Sequence, residues 1–217
     1  MKSINYIITA IIFVAYPTML TGQKSVYTFP FENSYRLPSM QTKINAEEIA
    51  ATYQTMGNIY TTEITGIGDD KMEQTSMSFI SDAKVVDAVR FLEFYMEEEL
   101  LEPGDGSSGI VEMSIIYYHE QTRINAGTVL GVLTFGLGTL FGIPYATAVV
   151  DVETSATFYN EQEIPITTHR GVGRGKKLQS LYSMSTRKAH QRALKDALEE
   201  LNFQVMMDSD LPNLVAN

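Results

Sequence analysis

Cysteine is absent from the 217 residues. That gap removes disulfides, thiolate catalysis, Cys-based zinc sites and the lipid-modified cysteine of a bacterial lipoprotein. A Cys-free chain suits either side of a membrane, so it leaves the redox compartment open. Histidine is nearly as scarce. His119, His169 and His190 are the only three, and none stands in the HxxxH or HExxH spacing of a metal-binding helix. The serines of "GDGSSG" lack the GxSxG elbow. "GVGRGKK" departs from the phosphate-loop pattern GxxxxGK[ST] at both ends, with Arg170 in place of the first glycine and Lys177 in place of the hydroxyl. No catalytic constellation emerges. The chain reads as non-enzymatic, with no cofactor and no metal site. A net charge of −10 also argues against a nucleic-acid partner, which would need a basic surface.

What is present speaks first of location. Residues 1–22 have the form of an export signal. Lys2 is a minimal positive start, "INYIITAIIFVAY" is the apolar core, and Pro17 ends it. Gly22 is the expected residue before the cut, which leaves Gln23 as the new N-terminus. An uncleaved anchor is the alternative. Either way the body of the protein is expected outside the cytoplasm, in the periplasm or at the outer membrane.

Residues 23–44 then read as an extended arm or edge strand, because Pro30 and Pro38 cannot donate to a ladder. A single domain is expected over 45–207, followed by a loose tail over 208–217. Asn45 caps a short helix with Glu47 and Glu48 in its first turn. "NIYTTEIT" reads as a strand and "GIGDDKMEQTS" as a polar loop. Ser81 caps a helix on which Val85, Val89, Leu92, Met96 and Leu100 recur at spacings of three and four. Glu97, Glu98 and Glu99 stand where the helix dipole disfavours them, so fraying is expected at that end. "IVEMSIIYYHEQ" is β-branched and aromatic. "VVDVETSATFY" alternates, with Val150, Val152, Thr154, Ala156 and Phe158 on one side, and "IPITTHRGVG" returns it as a hairpin. Ser183 or Ser185 caps the last helix, whose stripe is His190, Ala193, Leu194, Ala197, Leu198 and Leu201. "FQVMM" reads as a final strand. The order predicts an α+β or α/β sandwich, one mixed sheet covered by two main helices.

This order resembles small bacterial envelope proteins related to the curli-secretion-channel family and similar periplasmic lipoproteins. The likeness rests on the meander "ATAVVDVETSATFYNEQEIPITT" and the alanine-rich closing helix "RKAHQRALKDALEEL", and it covers roughly residues 80–205. It implies a fold and an envelope location, and it transfers no site residues. The chain differs from most such proteins in lacking the lipobox cysteine.

Two features are singled out as sites. Ile124 to Val150 is a charge-free run of 27 residues, with the glycine-rich segment at 124–145. Laid on a helix, Gly127, Gly131, Thr134, Gly138 and Gly142 form one stripe, with Gly136 opposite, as helices that pack closely in lipid do. A dip into a membrane, burial against a partner subunit, a core connection and a single span through 125–144 all remain open. The second feature is a basic run, Arg170, Arg174, Lys176, Lys177, Arg187, Lys188, Arg192 and Lys195, with no acid between Glu163 and Asp196. Anionic lipid, an acidic partner and a merely solvated face all fit it. The expected partners are therefore a membrane or other envelope proteins, or further copies of the chain. A periplasmic ligand-binding domain or hydrolase, with a polar pocket near His119 or His169, is the competing reading.

Overall fold

Asn45 starts the first helix as its side chain predicts. Its carboxamide oxygen accepts from the Glu48 amide at 3.1 Å, which satisfies a donor the helix itself cannot. In this computed structural model the described residues are 29, 36–57, 61–65, 72–76, 82–104, 108–125, 127–128, 133–134 and 136–215. The chain divides into units Met1–Glu32 and Asn33–Asn217, and all that follows concerns the second. The expected signal and cut site, nearly all of the arm up to residue 35, the Ser81 cap and Gly131 lie outside the described residues.

The elements are β1 (Gln41–Ile44), α1 (Ala46–Gly57), β2 (Thr61–Thr65), β3 (Met72–Ser76), α2 (Asp82–Tyr95), β4 (Ile110–Ile124), α3 (Leu137–Leu140), β5 (Ala146–Tyr159), β6 (Pro165–Gln179), α4 (Arg187–Met207) and α5 (Leu211–Val215). Four strands form one mixed sheet in the order β1-β4-β5-β6. β1 runs parallel to β4, and the other neighbours are antiparallel. The fold is α+β.

One face of the sheet is apolar because the strands alternate. Val111, Met113 and Ile115 of β4 and Val150, Val152, Ala156 and Phe158 of β5 are buried. Each of these side chains other than Ala156 stabilises by roughly 1.5–3 kcal/mol. A bulge between Ile115 and Tyr117 resets β4. It turns Tyr118 to the covered side and leaves Tyr117 41% exposed. Three helices cover this face. α1 lays Ile49 and Tyr53 against β4, α4 lies along β5 and β6, and α2 packs against both helices.

Four expectations are corrected. Met72–Ser76, expected as loop, is a strand paired with Thr61–Thr65. "FQVMM" continues α4, because Leu198, Leu201, Asn202 and Val205 keep the helical stripe. The tail forms α5 with Leu211 and Val215 buried. The Glu97–Glu99 region does not fray. It winds as a π-turn over Met96–Leu100, closed by the Leu101 amide on the Met96 carbonyl at 3.0 Å and anchored by buried Met96 and Leu100.

"GVGRG" explains itself in β6. Gly171, Gly173 and Gly175 face the backbone of α4 so closely that an added β-carbon would meet the carbonyl oxygens of Ala197, Ala193 and Ala189 at 1.9, 2.0 and 1.8 Å. Alternate residues on a strand are about 6.6 Å apart, and every fourth on a helix about 6 Å. Three glycines therefore keep step with three alanines, and the segment is a packing surface.

Candidate functional site

Ile124 ends β4 opposite Ala146, the first residue of β5, and Ala146 stands opposite Gln179, the last residue of β6. The β4–β5 and β6–α4 connections therefore emerge at the same end of the sheet. They clasp each other. The Tyr182 hydroxyl donates to the Leu140 carbonyl at 2.6 Å, and the Tyr145 amide donates to Gln179 O at 3.0 Å. Ten of the 17 exposed large apolar side chains among the described residues lie at 124–143 and 178–184. Phe141 is 85% exposed, Tyr182 73% and Leu133 70%. Single exposed apolar residues are ordinary on a soluble surface, but a contiguous group marks an interaction site.

The glycine stripe is not built as expected. Among the described residues the run has helical positions at 127–128, 133 and 137–140, with turns at 134, 136 and 141–142. Gly136 (φ 84°) and Gly142 (φ 81°) adopt left-handed backbone, which no continuous helix accommodates. Gly142 closes α3 as its C-terminal cap, with the Ile143 amide donating to Gly138 O at 3.1 Å. Gly127 lies where a β-carbon would stand 1.8 Å from Pro144 O. Gly138 is buried, its amide donating to Thr134 Oγ1 at 3.1 Å. Gly127, Thr134, Gly138 and Gly142 thus serve local turns, and among the described residues no helix is long and apolar enough to cross a membrane.

The basic run divides into two groups. Arg174 holds Asp151 through Nε at 2.5 Å, and Arg170 lies 3.6 Å from Glu153, both on the face of the sheet away from the helices. Arg187 binds Asp87 with two hydrogen bonds of 2.6 Å. Of the rest, Lys195 is half-buried on α4, while Lys176, Lys177, Lys188 and Arg192, joined by Arg123 of β4, have no carboxylate within ion-pair distance among the described residues. Lys177 donates to Ser185 O at 2.7 Å and Arg192 to Lys176 O at 2.8 Å. These five flank the apolar end. Lys188 stands in the first turn of α4, which carries no acid, where the helix dipole disfavours a cation.

Sequence reasoning missed a buried polar cluster behind that end. Lys84 bridges Glu120, which also accepts from the Tyr118 hydroxyl. The Tyr53 hydroxyl meets His190 Nε2 at 2.5 Å, and the Tyr53 and Tyr118 rings stack 4.3 Å apart. Asp87 is fully buried beneath Arg187 and Gln191. Burial drives the Asp87 carboxyl toward protonation, yet the Arg187 and Gln191 bonds outweigh it and hold its pKa below the ordinary value. Glu120 behaves alike. Burial raises it, and Lys84, Tyr118 and Thr186 pull it lower still. Burial and the Lys84 charge depress His190 to about 3, leaving it neutral, and among the described residues its Nδ1 has no hydrogen-bond partner. The cluster ties α1, α2 and α4 to β4. A signal for it existed, since Lys84 and Asp87 fall on the Ala88, Phe91 and Tyr95 side of α2.

His119 and His169 lie elsewhere. His119 sits beside Tyr117 at 6.5 Å between rings, and His169 meets Asp208 at 3.1 Å. Among the described residues no three His, Asp or Glu side chains converge as a metal site requires. No family model and no curated protein matches the chain.

Proposed function

We propose that the chain is a non-enzymatic, exported cell-envelope protein that acts as an accessory domain at a membrane, seated by its apolar end. One observation carries the reading: the concentration of exposed apolar side chains where the two connections clasp. A single chain in water gains nothing from that arrangement, and an interface removes it from water at roughly 25 cal/mol per Å². The export-like residues 1–22 and the resemblance to envelope proteins support the same location.

The reading is tested by fractionating cells that express the full chain. Recovery with the envelope is the expected result, and recovery wholly in the cytoplasm overturns it. A variant carrying Leu137→Asp and Phe141→Asp should keep its melting temperature, since both side chains are exposed, and shift from the membrane pellet to the soluble fraction.

A further inference from the structure

The apolar end has a chemical collar, and we propose that it docks on an anionic bilayer surface, inserting its apolar knobs while Arg123, Lys176, Lys177, Lys188 and Arg192 contact the lipid head groups. This rests on the membrane-docking reading and adds the chemistry of the surface. Three observations favour it.

The first is charge segregation. Residues 121–150 and 164–195, which supply both connections and the strands and helix turns behind them, hold nine of the 16 basic residues and none of the 26 acidic ones. The chain as a whole is at −10, so it approaches an anionic surface favourably only with this end forward. α4 repeats the polarity along its own length, with Lys188 and Arg192 toward the apolar end and Asp196, Glu199 and Glu200 beyond.

The second is depth. Lys176 precedes exposed Leu178 by two strand residues, about 6.6 Å, and Arg123 precedes exposed Ile124 by one. Interfacial apolar faces sink about 5–10 Å into the head-group boundary. Seating the knobs to that depth brings the cations level with lipid phosphates.

The third is shape. Phe141, Tyr182 and Leu133 protrude at 70% exposure or more. Protruding knobs enter a deformable bilayer readily, whereas a protein partner would need matching sockets. Tyr182 suits the boundary, with an apolar ring and a polar hydroxyl.

The test is sedimentation of the full chain with vesicles of phosphatidylcholine alone and with about 30% phosphatidylglycerol, across a salt series. Binding should be at least about tenfold tighter to the anionic vesicles and should weaken with salt. Each near-surface cation contributes on the order of 1 kcal/mol, or about fivefold. Lys176→Gln with Lys188→Gln should therefore cost about 25-fold on anionic vesicles, with little change on neutral ones and an unchanged melt. Equal binding to both compositions, insensitive to the two lysines, overturns the anionic assignment and leaves the membrane reading standing. Binding that survives Phe141→Asp undiminished overturns both, because the apolar end is then not the contact. A dimer in solution that Phe141→Asp dissociates, with no vesicle binding, also overturns both and makes the end an interface between copies.

Discussion

Gly173 of β6 lies directly beneath Ala193 of α4, so close that a β-carbon on the glycine would stand 2.0 Å from the Ala193 carbonyl oxygen and 2.2 Å from the Ala197 amide nitrogen. The contact is backbone on backbone, so no rotamer change relieves it. Gly173→Ala must lift α4 from the sheet or bend β6, at or above the upper end of the 1–3 kcal/mol typical of overpacking. Chemical denaturation should show that loss. Adding Ala193→Gly should not restore it, because the clashing atoms are backbone; restoration would show that the side chains set the spacing.

The same helix guards the free edge of the sheet. β6 is an edge strand, and its outward amides at Arg174 and Arg170 donate to Asp196 Oδ2 at 2.8 Å and Gln204 Oε1 at 3.3 Å. Unpaired edges template association. Asp196→Ala with Gln204→Ala should leave both amides open and raise aggregation on mild heating, read by light scattering. An unchanged onset would mean that water satisfies the edge equally well.

How much of this could be read beforehand follows the physics of each segment. β5 alternates in the chain and in space, since both its neighbours are strands of the same sheet and only one face is buried. α4 announced itself through a stripe that α-helical periodicity alone explains, but its end did not. "FQVMM" is a short apolar run, and such runs fit strand or helix until the packing partner is known. The returning strand was read only as far as "GVG", and glycine seldom occupies strand interiors; the reason for "GVGRG" lies 14 to 26 residues away, in Ala189, Ala193 and Ala197. The cluster around Lys84, Asp87 and Glu120 was legible only in part, through the place of Lys84 and Asp87 on the apolar side of α2. Charged residues are assigned to the surface by default, and only three helices converging on β4 make partners of them. The apolar end was legible as hydrophobicity. The single helical stripe drawn through it was not, because left-handed Gly136 and Gly142 break that helix.

The Asp87–Arg187 pair should respond unequally to loss of either member. Asp87 is fully buried, while the Arg187 side chain is 50% exposed. Removing the carboxylate with Asp87→Asn lets the arginine turn into solvent and costs mainly the lost charge-assisted bonds, about 1.5–3 kcal/mol. Arg187→Ala instead strands a buried carboxylate with Gln191 as its remaining described partner, and breaking a buried pair this way costs about 3–5 kcal/mol. Denaturant midpoints of the two variants check the order. Equal losses would indicate that Asp87 gains water once the arginine is gone.

His190 should make the fold sensitive to mild acid. Its side chain is fully buried against Tyr53 and Tyr118, and burial holds its pKa down at about 3. In the unfolded chain the same imidazole titrates near 6.5. Between these values the unfolded state binds a proton that the folded state refuses, so stability rises with pH there and falls as pH drops from about 6.5 toward 3, by up to about 1.4 kcal/mol per unit. Asp87 and Glu120, both held low, act at more acidic values. Their contribution is present above the unfolded carboxyl pKa near 4 and is lost below it as they are forced to protonate. His190→Gln cannot ionise and can still reach the Tyr53 hydroxyl. Its denaturation free energy, measured from pH 7 to 5, should be lower than that of the parent at pH 7 but nearly flat. A variant as steep as the parent over that range would place the acid sensitivity in some other group.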